Sequence, residues 1–220
     1  NRVSITPNEA SAFHTERGES IAAWQAALPH KLPTKLGQLA RKLERDNGPY
    51  EHRAVYEESE IRAAFALLKR VREGRFERDL LDNPIYFDFY LGYAIAAART
   101  GEAVLYVSTV NGQPAAMLFG LAGDGIFHGM LIGADTEAFG KFSVGRQLYY
   151  QAILTQFELG CSRVDLSLGN SGYKSDFRVL PTTLSNFTSA LSLTGAAVAF
   201  VYNHAKPLKN VLREHVPHVR

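Results

Sequence analysis

Phe142-Ser143-Val144-Gly145-Arg146-Gln147-Leu148, the strand Arg163-Val164-Asp165-Leu166-Ser167-Leu168 and the loop Gly169-Asn170-Ser171-Gly172-Tyr173-Lys174 together decide how this chain is read. The first segment describes a loop turning into a helix. Small residues there let backbone N–H groups face outward. The first N–H groups of a helix have no internal acceptor and lie at the positive end of its macrodipole, so a phosphate fits there. Ser143, Val144, Gly145 and Arg146 are therefore the candidate anion cradle, with Ser143 the expected N-cap and Arg146 a fixed charge. One βα-type unit separates that turn from the polar loop ending in Tyr173 and Lys174. The combination suits group transfer.

Working outward, Ser143 to Leu159 predicts a helix with Leu148, Tyr149, Ala152, Ile153 and Phe157 inward. Upstream, Ala103–Val110, Gln113–Leu121 and Gly125–Ile132 read as a three-stranded meander, joined at Asn111-Gly112 and Gly123-Asp124-Gly125. Before the meander, Lys31–Arg45 is a basic amphipathic helix with leucines at 32, 36, 39 and 43. Tyr50–Tyr56 reads as a strand and Glu57–Phe76 as a helix carrying Ile61, Phe65, Leu68 and Val71. An aromatic helix runs from Pro84 to Thr100-Gly101, with proline and glycine as its expected punctuation. The first 30 residues read as irregular apart from a short helix over Ile21–Leu28. Downstream come a strand over Thr182–Leu193 and a helix from Gly195 with a basic end. The order implies a mixed α/β fold on one central, mostly antiparallel sheet flanked by helices. The expected divisions are 1–48 (irregular segment and connector helix), 49–195 (the main domain) and 196–220 (a C-terminal helix).

Composition narrows the classes. The chain has 220 residues, 46% apolar and 21% charged, with a formal charge of +2, so it can bury a core and carries no bulk charge favouring nucleic acid. One cysteine excludes an internal disulfide framework and points to a cytoplasmic protein. No apolar run reaches the roughly 18 residues of a membrane span. The chain starts at Asn1 without methionine, which reads as a fragment. No hydrolase elbow, Walker loop or dinucleotide fingerprint occurs. His215 and His218 have a ligand-like spacing, but Pro217 breaks the helix that would aim both at one metal, so no metal is expected.

The meander, the Ser143–Leu148 turn into a helix, Val164–Gly169 and Tyr173-Lys174 with Phe177 resemble the acetyltransferase fold of the GNAT superfamily, and within it the FemAB-like, cellulose-biosynthesis-associated branch. The pattern departs from the superfamily's usual Gln/Arg-x-x-Gly-x-Gly/Ala pyrophosphate loop: Lys141–Arg146 keeps only the middle glycine. The resemblance implies a GNAT-like acyltransferase moving an acyl group, most readily acetyl from acetyl-CoA, onto an amine or hydroxyl of a small molecule or saccharide, with a role in polysaccharide biosynthesis. It also implies a second such fold upstream of this one. Ser143, Val144, Gly145 and Arg146 would hold the donor's phosphates, and Tyr173 would protonate the leaving thiolate.

Asp165 and Ser167 share one face of their strand, with Val164, Leu166 and Leu168 on the other. Asp165 is a candidate base or orienter of the acceptor, and His128 on the third meander strand a candidate general base. Lys174, Ser167 and Asn170 are candidate substrate contacts, Lys174 toward a phosphate or a carboxylate. The aromatic cluster of Ile85–Tyr93 reads as core or as a wall of an acceptor pocket. Two alternatives stand beside acyl-CoA chemistry: a FemAB-like, aminoacyl-tRNA-dependent peptidyltransferase, in which tRNA is a partner, and a non-catalytic binding or assembly lobe.

Overall fold

The computed structural model describes residues 3–74, 79–168, 172–189, 192 and 194–201. Its elements are β1 (Val3–Glu16), α1 (Ile21–Ala26), α2 (Leu32–Asn47), β2 (Tyr50–Val55), α3 (Glu58–Arg72), α4 (Pro84–Ala98), β3 (Ala103–Val110), β4 (Gln113–Gly123), β5 (Ile126–Ala134), α5 (Thr136–Phe139), α6 (Val144–Glu158), β6 (Arg163–Leu168) and β7 (Leu180–Ser189). Two compact units divide them: Ala12–Pro181, and a smaller one drawn from Asn1–Ser11 and Thr182–Arg220.

In the larger unit the strand order is β2-β3-β4-β5-β6-β1. β2 to β5 are antiparallel neighbours, β5 and β6 are parallel, and β6 and β1 are antiparallel. The meander has the turn chemistry its sequence implies, with Asn111-Gly112 and Asp124-Gly125 all at positive φ. β3 is buried at every position because helices cover both faces of the sheet, whereas a strand covered on one face alternates. On one face Trp24, Leu36, Leu43, Leu148, Ile153 and Phe157 from α1, α2 and α6 pack on Tyr106, Leu118, Phe127 and Val164. On the other, Ile61, Phe65 and Leu68 of α3 and Ala94 and Ala97 of α4 pack on Leu105, Met117, Phe119 and Leu131. The result is an α/β/α arrangement with the sheet in the middle.

Several boundaries differ from the sequence expectation. The N-terminal stretch is not irregular: Val3–Glu16 is a strand. Pro7-Asn8 reads locally as a turn, but the segment is ordered by distant partners, Ala12 opposite Leu168 and His14 opposite Asp165. α3 stops at Arg72, ahead of Gly74 at φ +69°, instead of running to Phe76, which lies outside the described residues. β7 begins and ends earlier than expected. In the smaller unit the first part of β1 and β7 are neighbours, joined by Asn8 Nδ2 donating to Asn186 Oδ1 at 3.0 Å, and residues 194–201 are helical. The basic end expected for that helix, and the His215–His218 pair, lie outside the described residues.

His52 gives the larger unit a pH dependence. Its Nδ1 lies 2.7 Å from Ser108 Oγ and its ring meets Tyr50 edge-on at 4.5 Å. Burial lowers its pKa from 6.5 to about 4. Between those values the unfolded chain binds the proton and the native protein does not, so stability falls as the pH drops from 6.5 toward 4. Urea unfolding at pH 7 and pH 4.5 should differ by about 2 kcal/mol more in wild type than in His52→Gln. Equal differences in the two proteins would exclude His52 as the cause.

Candidate functional site

β5 and β6 pair only at Ile126–Arg163, Phe127–Val164 and His128–Asp165, and beyond that rung they separate. β5 continues along β4 as far as Ala134. β6 turns away because Ser167 adopts left-handed backbone at φ +64°, which also breaks the alternation expected of the strand. Val164 and Leu166 are core, but Leu168, expected beside them, is 57% exposed. Gly129 stands at the fork: a Cβ there would lie 3.1 Å from the Asp165 carbonyl and 3.5 Å from the Tyr149 hydroxyl.

A parting pair of strands leaves carbonyls without ladder partners, and those groups need donors. Lys174 supplies them. Its Nζ donates to the Ser167 carbonyl at 3.0 Å and the Leu168 carbonyl at 2.7 Å, and it sits 5.8 Å above the Phe13 ring. The side chain is 3% exposed, and burial lowers its pKa while the Asp165 charge raises it. The ammonium thus braces the fork, where the sequence reading aimed it at a phosphate or a carboxylate.

A cavity of about 540 Å³ opens between the end of α3, the end of β5 and the start of α6, with Ile132, Gly133, Val144, Gly145 and Tyr173 in its wall. Ser143 and Arg146 line it too, so the expected cradle residues and Tyr173 meet in one place. The helix start is built differently from expectation. Ser143 precedes the helix in left-handed conformation (φ +57°) and its hydroxyl caps nothing. Instead Gln147 Nε2 donates to the Phe142 carbonyl at 2.8 Å, and the first helical amide bond is Gln147 N–H to the Ser143 carbonyl. The amides of Val144, Gly145 and Arg146 precede that bond and are the orphan donors of the helix. Gly145 keeps the helix start against the sheet, since a Cβ would approach Ala134 Cβ to 3.0 Å.

The Arg146 guanidinium does not stand free for an anion; Arg146 Nη2 is paired with Asp176 Oδ2. Its Nε is buried and makes no hydrogen bond among the described residues. Asp176 lies on the helical turn Lys174–Phe177, so this pair ties the start of α6 to the loop that carries Tyr173. The neighbouring Arg72 is likewise held, by Asp79 at 2.7 and 3.0 Å.

At the fork itself, His128 Nδ1 lies 3.4 Å from Asp165 Oδ2, and Asp165 Oδ1 accepts the Ser167 N–H at 2.7 Å. His14 of β1 stands opposite Asp165 on its other side. Tyr149 and Tyr173 have ring centroids 5.8 Å apart. Burial, then the Tyr173 hydroxyl and the Asp165 charge, hold the Tyr149 phenol well above its ordinary pKa, so it stays protonated. The predicted residues thus fall into two groups, the cavity (Ser143, Val144, Gly145, Arg146, Tyr173) and the fork (His128, Asp165, Ser167, Lys174). Asn170 lies outside the described residues. Sequence reasoning treated Tyr149 only as core and did not single out Asp176, Gly129 or His14. Among the described residues no group of three or more His, Cys, Asp or Glu could hold a metal, and no helix is long and apolar enough to cross a membrane.

A sequence model described as an acetyltransferase (GNAT) domain matches residues 31–175, from the start of α2 through the fork to the brace lysine. The chain belongs to the GNAT acetyltransferase family. Structural likeness agrees on the fold. This GNAT domain superposes on a conserved protein of unknown function from Bacteroides thetaiotaomicron (TM-score 0.57, 16% identity, 85% of this chain and 62% of that one). It also superposes on FemX (0.58, 9%, 78% and 59%) and on a GCN5-related N-acetyltransferase from Kribbella flavida (0.50, 15%, 83% and 58%). The chain spans about three fifths of the length of each. No curated protein matches it.

If Lys174 braces the fork of this GNAT domain, Lys174→Met leaves two carbonyls without donors, and its denaturant midpoint should fall by the equivalent of about 1–3 kcal/mol. An unchanged midpoint would remove the bracing role.

Proposed function

We propose that this domain transfers an acyl group, acetyl in the simplest case, from acyl-CoA to an amine or hydroxyl of a small molecule or saccharide. The observation that carries the reading is the cavity whose wall combines the start of α6, with its orphan amides, the end of β5 and Tyr173. The cradle fits a phosphate through backbone donors at Val144, Gly145 and Arg146, with Gly145 set tight against Ala134. Arg146, already paired with Asp176, orders the cradle and the Tyr173 loop instead of meeting the phosphate by itself.

Acyl-CoA bound there would supply an activated thioester. The chain's own residues have separable tasks. Asp165 orients His128 through the 3.4 Å contact, and His128 takes the proton that the acceptor nitrogen or oxygen loses as its bond to the acyl carbon forms. Tyr173 returns a proton to sulfur as the carbon–sulfur bond breaks, and Tyr149, held protonated, supports Tyr173. Ser167 and the fork beside it border the acceptor side. A cytoplasmic location and a role in polysaccharide biosynthesis accord with this donor and with the FemAB-like resemblance.

The test is calorimetric titration of acetyl-CoA into wild type and Ser143→Asp. Aspartate tolerates the left-handed N-cap position and favours the helix dipole, so the variant folds while placing a carboxylate where the phosphate belongs. Micromolar binding that weakens at least tenfold, about 1.4 kcal/mol, supports the donor site. Equal binding by both proteins places the donor elsewhere. No binding by wild type overturns acyl-CoA as donor. In that case salt-sensitive binding of aminoacyl-tRNA would support a peptidyltransferase, and binding of neither a non-catalytic lobe.

A further inference from the structure

Between α2, β2 and α6 lies a second cavity, of about 210 Å³, that shares no lining residue with the cavity at the start of α6. At ~30 Å³ per water molecule it has room for about seven, enough for one small ring and too little for a nucleotide. Gly37 keeps it open. That residue sits within α2, where glycine is less favourable than alanine. Close packing does not require it, because a Cβ at Gly37 would meet only Arg41 Nη1, at an ordinary 3.7 Å. What the missing side chain leaves is space in the cavity wall.

Polar groups around that space lack partners. Tyr50 Oη is buried and makes no hydrogen bond among the described residues. Ser108 is near enough to influence the phenol, but its hydroxyl is engaged with His52 Nδ1 at 2.7 Å. A buried hydroxyl left unpaired costs stability, so the cavity suits an occupant that hydrogen-bonds there. Arg41, Glu44 and Gln151 also line it and are exposed, which puts them at its mouth. Neither Arg41 nor Glu44 makes an ion pair among the described residues.

The lining also restricts the charge of the occupant. Arg41 and Glu44 are the only charged residues in the wall, and they cancel. Burial keeps His52 neutral near pH 7. A phosphate or a polyamine would meet an opposing charge along with a partner. A wholly apolar molecule would leave the Tyr50 hydroxyl unpaired and desolvate the polar mouth. A sugar ring suits every wall. Its hydroxyls both donate and accept, matching Tyr50, Arg41, Glu44 and Gln151, while its C–H face can lie on Leu36, Ala40 and the Tyr150 ring.

We propose that the cavity between α2, β2 and α6 binds a neutral sugar ring. The site stands apart from the donor cavity and does not depend on which donor this domain uses.

Titration of the full chain with D-glucose, D-galactose, D-mannose and N-acetyl-D-glucosamine, followed by two-dimensional amide NMR, tests this. At least one should shift the Gly37, Ala40 and His52 amides saturably, with a Kd of about 10 mM or tighter. Gly37→Leu fills the cavity from a helix that accepts the change, and Tyr50→Phe removes a hydroxyl that has no partner to lose. Each should weaken the binding at least about fivefold without lowering the thermal midpoint. Should Gly37→Leu fail to fold, Tyr50→Phe decides alone. No saturable shift with any of the four sugars up to about 50 mM, or equal binding by wild type and the folded variants, would overturn the proposal. So would shifts of the same amides by inorganic phosphate or toluene in place of the sugars.

Discussion

Two parallel strands cannot part inside a protein without leaving carbonyl groups in need of donors, and much of the site follows from how this chain meets that need. β5 and β6 separate after the His128–Asp165 rung. Ser167 turns the backbone, and Lys174 takes the two carbonyls the turn releases. An ammonium is suited to this because it offers three donors and no acceptor. Its burial has a cost, visible in the lowered pKa, and the charge of Asp165 offsets part of it. The residue that stabilises the fork is therefore also coupled electrostatically to the carboxylate that stands beside His128.

The start of α6 shows a second economy of charge. The arginine that most resembles an anion ligand is neutralised by Asp176, and the neighbouring Arg72 by Asp79. What remains unpaired at the helix start is the backbone: three amides that the helix cannot use. A cradle of that kind depends on main-chain geometry more than on any one side chain. The guanidinium–carboxylate pair instead fixes the distance between the helix start and the turn bearing Tyr173.

The meander, α4 and the inward face of α6 were legible in the sequence because periodicity and turn chemistry are local signals. Asn111-Gly112 could hardly be anything but a hairpin turn. β1 was not legible. Its residues mix polar with apolar and include Pro7, and what makes them a strand is a partner distant in the sequence. The cradle was readable as a helix start, but the role of Ser143 was not, since its left-handed backbone is set by the preceding turn and by Gln147. Nor could Lys174 be distinguished from a ligand contact: a buried brace and a phosphate-binding lysine have the same letter, and only the carbonyls within 3.0 Å separate them. Tyr149 was correctly placed inward, yet its hydroxyl reaches the fork beside Gly129, which an inward placement alone does not reveal.

The pairing of β1 with β6 bears on how the molecule is made. Asp165 lies between His128, a neighbour in the meander unit, and His14, far from it in sequence. That last contact closes only once β6 follows β1 across the whole meander, and such long-range pairings form slowly. During synthesis the early-made β1 waits with its ladder groups unpaired, which exposes a strand edge to other chains. Polar residues such as His14, Thr15 and Glu16 in the stretch that pairs with β6 favour a soluble edge until β6 arrives, so the residues that disguised it as a loop serve it as protection.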